Sequence, residues 1–315
     1  MHVSKITRRL CGVESAGAVH AVGARARRGV SAGREAEHAW SRAECGLRRG
    51  AKSGRKGGVQ HEVKIIAHRG ASKHRPEHTI GAYELAAAQG ADGYECDIRL
   101  TRDGHAVCIH DRTVDRVSDG MGAVSRMTLA ELKALNFGTS TRPAAVLELR
   151  ELLEFLQDMR HSAGAGQPEL FIETKHPHVR SLQVEAEMHR QLAVAGLAGG
   201  EGIYLISFDS WSLWRSRRIN PQVERIQLRR KHHPPTRPLL RGSGIARYAG
   251  WSIEQAMASI RGDRRGAPVD YIWTVDQAEQ LRWIAQRGAR WVATNYPGEA
   301  AGWLRNSAGG GAGQA

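Results

Sequence analysis

The chain has 315 residues, 41% hydrophobic and 25% charged, which is enough apolar content for a buried core in one large or two ordinary domains. A net charge of +14 points at first to a polyanionic partner, but residues 1–60 hold 13 Lys and Arg against 4 Asp and Glu, so +9 of the charge sits there and +5 in the other 255 residues. No run of 18 apolar residues marks a transmembrane helix, no apolar leader segment marks secretion, and four scattered cysteines exclude a disulfide framework.

Residues 1–60 are rich in Arg, Gly, Ala and Ser and nearly free of aromatics. Such a segment cannot bury enough surface to offset its ordering entropy, so it reads as a disordered basic extension. A solvated arm, a targeting peptide and translation from an upstream start codon all fit it; a cytoplasmic, reducing location is the expectation for the whole chain.

From residue 63 onward, short apolar runs alternate with helix-like stretches. The runs are VKIIAH (63–68), GYECDIRL (93–100), ELFIET (169–174), GIYLISF (202–208), VERIQL (223–228), IARYAGW (245–251), VDYIWTV (269–275) and ARWVATN (289–295). Between them lie helical patterns such as TIGAYELAAAQG, ELRELLEFLQDM, SLWRSRR and DQAEQLRWIAQRG, several ending in the Gly that a helix C-cap favours. Continuous apolar strands separated by helices predict a parallel sheet covered on both faces. Eight of them in about 250 residues predict a (β/α)8 TIM barrel over 61–305, with a doubly wound sheet as the alternative. The sixth strand is the weakest, and NSAGGGAGQA predicts a flexible tail from 306.

One segment breaks the alternation. After GYECDIRL the chain turns at Asp103-Gly104 and returns as HAVCIHD, and residues 112–168 form an insertion before the next strand, with a helix start at Thr128 and Glu131. A two-residue turn pairs positions summing to 207, which sets Asp97 opposite His110 and Glu95 opposite Arg112. It also sends Cys96 and Cys108 to opposite faces. Glu95 and Asp97, two apart, share a face. Two buried carboxylates on one face repel unless a cation neutralises them, and oxygen donors suit Mg²⁺ or Ca²⁺.

Other strand ends add candidates. His68-Arg69 closes the first strand, and Glu173-Thr174-Lys175 closes the third, where barrel active sites lie. Together these residues make an acid–base pair (His68, His110), a metal cage (Glu95, Asp97, Glu173) and two phosphate-seeking cations (Arg69, Lys175). That set suits metal-assisted phosphodiester cleavage.

The stretches AHRGASKHRPEHT (67–79), GADGYECDIRLTRDGHAVCIHD (90–111), FIETK (171–175), SF (207–208), WTVD (273–276) and GARWVATNYP (288–297) resemble the glycerophosphodiester phosphodiesterase family. The resemblance covers roughly residues 63–305. It implies a TIM barrel that hydrolyses glycerophosphodiesters to sn-glycerol 3-phosphate and an alcohol with a divalent cation. By motif match it implies catalytic histidines at His68 and His110, metal carboxylates at Glu95, Asp97 and Glu173, and phosphate contacts from Arg69 and Lys175. Glu77 and Trp273 fall near the substrate, Trp273 at the pocket mouth.

Three positions depart from the family's pattern: His78 and Asp276 stand where Asn is usual, and Asn295 where Asp is usual. Residues 226–268 match poorly. Two other readings stay open: phospholipase D-like cleavage of lysophospholipids, and non-enzymatic polyanion binding through the basic arm. A small-molecule substrate is expected, and no specific nucleic acid, because the arm has no recognisable nucleic-acid motif. Core packing is the plainer expectation for Trp211 and Trp214, and a solvated loop for His232 and His233.

Overall fold

The eight apolar runs become the eight parallel strands of a closed barrel. The computed structural model describes residues 62–163, 166–176, 183–229, 244–261 and 270–308; the basic extension, His232, His233 and the end of the glycine-rich tail lie outside them. Strands β1 (Lys64–His68), β2 (Gly93–Leu100), β4 (Glu169–Thr174), β5 (Ile203–Ser207), β6 (Glu224–Leu228), β7 (Tyr248–Ser252), β8 (Tyr271–Trp273) and β9 (Trp291–Thr294) follow one another around the ring, and β1–β2 pairing closes it. Closure rules out the doubly wound alternative. The weak sixth strand starts at Tyr248, three residues later than its apolar run.

Alternation along each strand sorts side chains into two cores. One parity faces inward: Ile66, Phe171, Tyr204, Ile226, Tyr271 and Trp291 fill the barrel, with Phe171 stacked on Tyr204 at 4.6 Å and on Tyr271 at 5.1 Å. Burial of a ring such as Phe171 contributes on the order of 2–3 kcal/mol. The other parity, including Cys96, Ile98, Leu170, Ile172 and Leu205, packs outward against α1 (Ile80–Ala88), α3 (Leu149–Ser162) and α4 (Gln183–Val194). Across the ring, Ile65, Ile272 and Val292 meet α6 (Ile253–Arg261), α7 (Ala278–Ala285) and α8 (Pro297–Ala308). That last helix, absent from the periodic stretches above, begins with Pro297 and Glu299, the usual chemistry of a first turn, and reaches past residue 306. Strand β5 leads into α5 (Ser210–Ile219).

The insertion proves to be two things. Helix α3, with Leu149, Leu152, Leu153 and Leu156 on one buried stripe, is an ordinary barrel helix. Before it, residues 109–147 build a lobe with its own small core of Val107, Ile109, Val114, Val124, Leu132, Phe137 and Val146. Its short helix α2 (Leu129–Lys133) starts at the expected capping box: Thr128 accepts from the Glu131 backbone, and Glu131 accepts from Thr128.

The hairpin corrects two expectations. β3 (Ala106–Cys108) pairs antiparallel with β2 as Ile98↔Cys108, Arg99↔Val107 and Leu100↔Ala106, so partners sum to 206. Thr101 donates to the His105 carbonyl, leaving a three-residue turn of Arg102, Asp103 and Gly104, with Gly104 at φ +91°. Asp103 is drawn into this turn because its carboxylate accepts from Thr101 Oγ1 and from the Leu129 backbone of α2. Asp97 therefore lies opposite Ile109, whose N–H donates to its carbonyl, rather than opposite His110; Arg112 lies beyond the strand and does not face Glu95. A one-residue change of register exchanges faces. Cys96 and Cys108 consequently share a face, both buried as free thiols within hydrogen-bonding reach of each other. Among the described residues, no helix is long and apolar enough to cross a membrane.

Candidate active site

Strand register, more than sequence proximity, assembles the site. Across β1–β2, His68 stands beside Glu95; across β2–β4, Asp97 stands beside Glu173. With Glu95 and Asp97 on the same inward parity, three neighbouring strands bring carboxylate oxygens of Glu95, Asp97 and Glu173 within 4.8 Å of one another. All three lie at the carboxyl-terminal end of the barrel, above the aromatic layer, and all are buried.

Burial and mutual repulsion dominate their electrostatics. Burial raises Glu95 well above the usual carboxylate range, with the Asp97 charge adding to it, and burial raises Glu173 to about 7 against the pull of Lys175. Asp97 is held well below the usual range despite its burial, because Lys175, His78 and Arg69 all favour its charge. The Lys175 ammonium sits 2.8 Å from both Asp97 Oδ1 and Glu173 Oε1. Arg69 Nε lies 3.1 Å from Asp97 Oδ2, an ion pair without hydrogen-bond alignment, while its Nη1 donates to Glu77. With all three ionised, the carboxylates against two cations would leave the cluster one negative charge; a divalent cation would favour that ionisation and make it +1, matched to a phosphodiester anion. An all-oxygen donor set of this kind fits a hard divalent ion.

His68 is pulled down to about 3 by burial, with the neighbouring Arg69 charge adding to it, so it is neutral at pH 7. Its Nδ1 lies 2.8 Å from Asn295 Oδ1. The Asn295 amide is oriented by Asp276, which accepts from Asn295 Nδ2 at 2.6 Å and from its backbone N–H. Asn295 Oδ1 therefore accepts from His68 Nδ1–H, and the lone pair sits on Nε2, which points toward Glu95 at 3.9 Å. Burial also lowers His110, which feels the charges of Asp97, Lys175 and Arg69. Its Nδ1 meets Asp111 Oδ1 at 2.7 Å. The chain leaves β3 after Cys108, and Arg99 holds the bend by donating twice to the His110 carbonyl.

Several residues of the site carry no signal of their own in sequence. Arg116, from the lobe, donates to Asp111 and makes two hydrogen bonds to Glu77, tying His110 to the Arg69 side of the site. Those bonds hold Glu77 down to about 2 against its burial. His78, backbone φ +58°, is buried with Nε2 3.0 Å from Asp97 Oδ2 and Nδ1 3.0 Å from the Tyr83 hydroxyl, which donates to the Glu95 carbonyl. The two departures at 276 and 295 turn out to be one hydrogen-bonded pair in which acid and amide have exchanged places. Trp273 closes β8 at the same end of the barrel, half-buried, edge-on to Phe208 at 5.6 Å.

A family model for the glycerophosphoryl diester phosphodiesterase family matches residues 68–299. The chain belongs to this family. Membership makes it a hydrolase of phosphoric diesters. It is 37% identical over 263 residues to a probable glycerophosphodiester phosphodiesterase 1 of Mycobacterium tuberculosis, covering 77% of this chain and 92% of that one. A glycerophosphodiester phosphodiesterase crystal structure from Agrobacterium tumefaciens aligns with TM-score 0.62 at 26% identity, over 76% of this chain and 99% of that one. An Oleispira antarctica phosphodiesterase, solved with the product sn-glycerol-3-phosphate, shares the fold at TM-score 0.64 and 20% identity, over 78% of this chain and 97% of that one.

Proposed function

We propose that the chain hydrolyses glycerophosphodiesters to sn-glycerol 3-phosphate and an alcohol, with a divalent cation held by Glu95, Asp97 and Glu173 and with His68 and His110 moving the protons. The observation that carries this reading is the meeting of three buried carboxylates, two cations and a neutral histidine at the carboxyl-terminal end of the barrel. The product bound in the Oleispira structure supports the substrate class. The relatives named above are phosphodiesterases, which favours this reading over lysophospholipid cleavage or a binding role for the arm.

The tautomers divide the two histidines. His68, with its lone pair on Nε2 and Nδ1–H fixed by Asn295, accepts a proton from the attacking water, whose oxygen forms the new bond to phosphorus. His110, lowered by burial but supported at Nδ1 by the Asp111 carboxylate, which favours its protonated form, gives its proton to the leaving alkoxide as the phosphorus–oxygen bond breaks. Arg69 and Lys175 are the cations positioned to meet the phosphoryl oxygens, Glu77 is locked between Arg69 and Arg116 at the substrate's edge, and Trp273 borders the mouth. A bound divalent cation supplies Lewis-acid stabilisation of the charge on those oxygens.

The test is release of glycerol 3-phosphate from a panel of glycerophosphodiesters, with and without EDTA, by wild type, His68→Ala and His110→Ala. Activity should vanish in EDTA and return with Mg²⁺ or Ca²⁺, and each variant should lose ~10²–10⁴-fold in kcat. Metal-independent hydrolysis, or an undiminished His110→Ala enzyme, overturns the mechanism.

A further inference from the structure

Helix α5 presents an outer face that the catalytic site does not use. Its inner side is firmly seated: Leu213, Ser212 and Ser216 are buried, and Ser212 joins Thr174 and Glu185 in a hydrogen-bonded cluster. Arg215 adds a two-pronged contact to the buried Glu185, which also meets His176, the residue after Lys175. The helix is thus a rigid platform fixed to the end of β4. On its outer side, against the expectation of core packing, Trp211 is 67% and Trp214 39% exposed, their rings edge to face at 5.8 Å. Arg218 lies over Trp214 with its guanidinium 5.0 Å from the ring, Arg217 and Ile219 are exposed beside it, and the helix contains no acidic residue.

Position gives this face meaning. Because α5 starts directly after β5, Trp211 stands at the same end of the barrel as the carboxylate cage, three residues beyond the Phe208 that abuts Trp273. Indole rings with a polar N–H and an apolar body favour the headgroup region of a bilayer, and flanking arginines pair with lipid phosphates. A second copy of the chain is the competing occupant of this face, and the experiment below separates the two.

We propose that α5 docks the barrel on anionic phospholipid surfaces, with Trp211 and Trp214 entering the interface and Arg217 and Arg218 meeting the headgroups. Because α5 runs from the mouth toward the opposite end of the barrel, docking by this face lays the barrel's flank on the bilayer with Trp211 and the catalytic mouth beside it, near the surface where removal of both acyl chains from a phospholipid would release a glycerophosphodiester. The surface stands independently of the reaction assigned above.

The experiment uses the full chain with vesicles of phosphatidylcholine, with and without phosphatidylglycerol, some carrying brominated acyl chains. Wild type should sediment with the anionic vesicles and lose tryptophan emission to the brominated lipid. W211S/W214S should lose about tenfold or more in vesicle affinity together with the quenching, and R217E/R218E should lose the preference for phosphatidylglycerol. Both variants should hydrolyse soluble glycerophosphocholine at the wild-type rate, so a failure of the hydrolytic assignment would show separately. W211S/W214S binding vesicles as tightly as wild type, binding without quenching, or a wild-type dimer that this variant converts to monomer would each overturn the proposal.

Discussion

At the scale of single residues, the exchanged pair at 276 and 295 defines the state of His68. With an amide at 295, His68 Nδ1 meets a neutral oxygen, and the carboxylate stands one residue further away at Asp276. A carboxylate in direct contact would favour imidazolium and raise the histidine. N295D alone sets two carboxylates against each other where the Asn295–Asp276 contact is now 2.6 Å, so it should be the more damaging single change. The double swap D276N/N295D relieves that repulsion and puts the acid on His68. If His68 is the base, a raised value means that it is protonated at higher pH, so the acidic limb of kcat/KM should move upward by about a unit, seen in a pH profile on glycerophosphocholine. An unmoved limb would remove His68 from the base role. Asp111 makes a parallel case on the other histidine: Asp111→Asn removes the charge behind His110 Nδ1 and the Arg116 tie, and should lower kcat by about 10- to 100-fold with little change in KM.

At the scale of elements, two glycines mark what each turn must do. Gly70, φ +81°, follows Arg69, itself at φ +61°, at the end of β1, and a Cβ there would lie 2.7 Å from the Ala82 backbone of α1. Gly70→Ala combines strain with a clash against backbone beside His68, and should cost more than 2 kcal/mol and reduce activity. Gly104, φ +91°, has open space around a built Cβ, so Gly104→Ala should cost only about 1 kcal/mol in denaturant unfolding and leave kcat intact. The hairpin also shows where sequence stops being informative. Every barrel strand was legible because each carries its own apolar pattern, and the carboxylate pair was legible because i, i+2 residues share a face. Asp103-Gly104 alone could not report that Asp103 caps α2 from across the lobe, and that contact selects the three-residue turn. The same limit hid Arg116, Tyr83 and the Asp276–Asn295 pair: each acts through partners on other segments, from 5 to 39 residues away, that no local pattern brings together.

At the scale of the whole molecule, the cage sets stability against function. Glu95 and Glu173 are both raised in the folded protein, Glu173 to about 7 from 4.5. A carboxyl whose folded value exceeds its unfolded one adds stability that is full below the unfolded value, about pH 4.5 for Glu173, and is lost as pH rises through the folded value near 7. Without a cation, the barrel at pH 8 therefore carries charge that its interior disfavours. Glu173→Gln removes one of these charges while leaving an oxygen to accept from the Lys175 ammonium, now 2.8 Å from Glu173 Oε1. In EDTA at pH 8 the variant should be the more stable protein by about 1 kcal/mol or more, some 2–4 °C in Tm for a domain of this size. Saturating Mg²⁺ or Ca²⁺ should reverse the order, because only the intact cage gains the full binding free energy, about 2.7 kcal/mol at a hundred times Kd. As pH falls through 7 to 5, wild-type Glu173 takes up its proton and the gap in EDTA should close. Thermal melts in those three conditions decide the matter: a Glu173→Gln protein less stable than wild type in EDTA at pH 8 would show that the carboxylates are satisfied by Arg69 and Lys175 alone, and that the fold does not call for a metal.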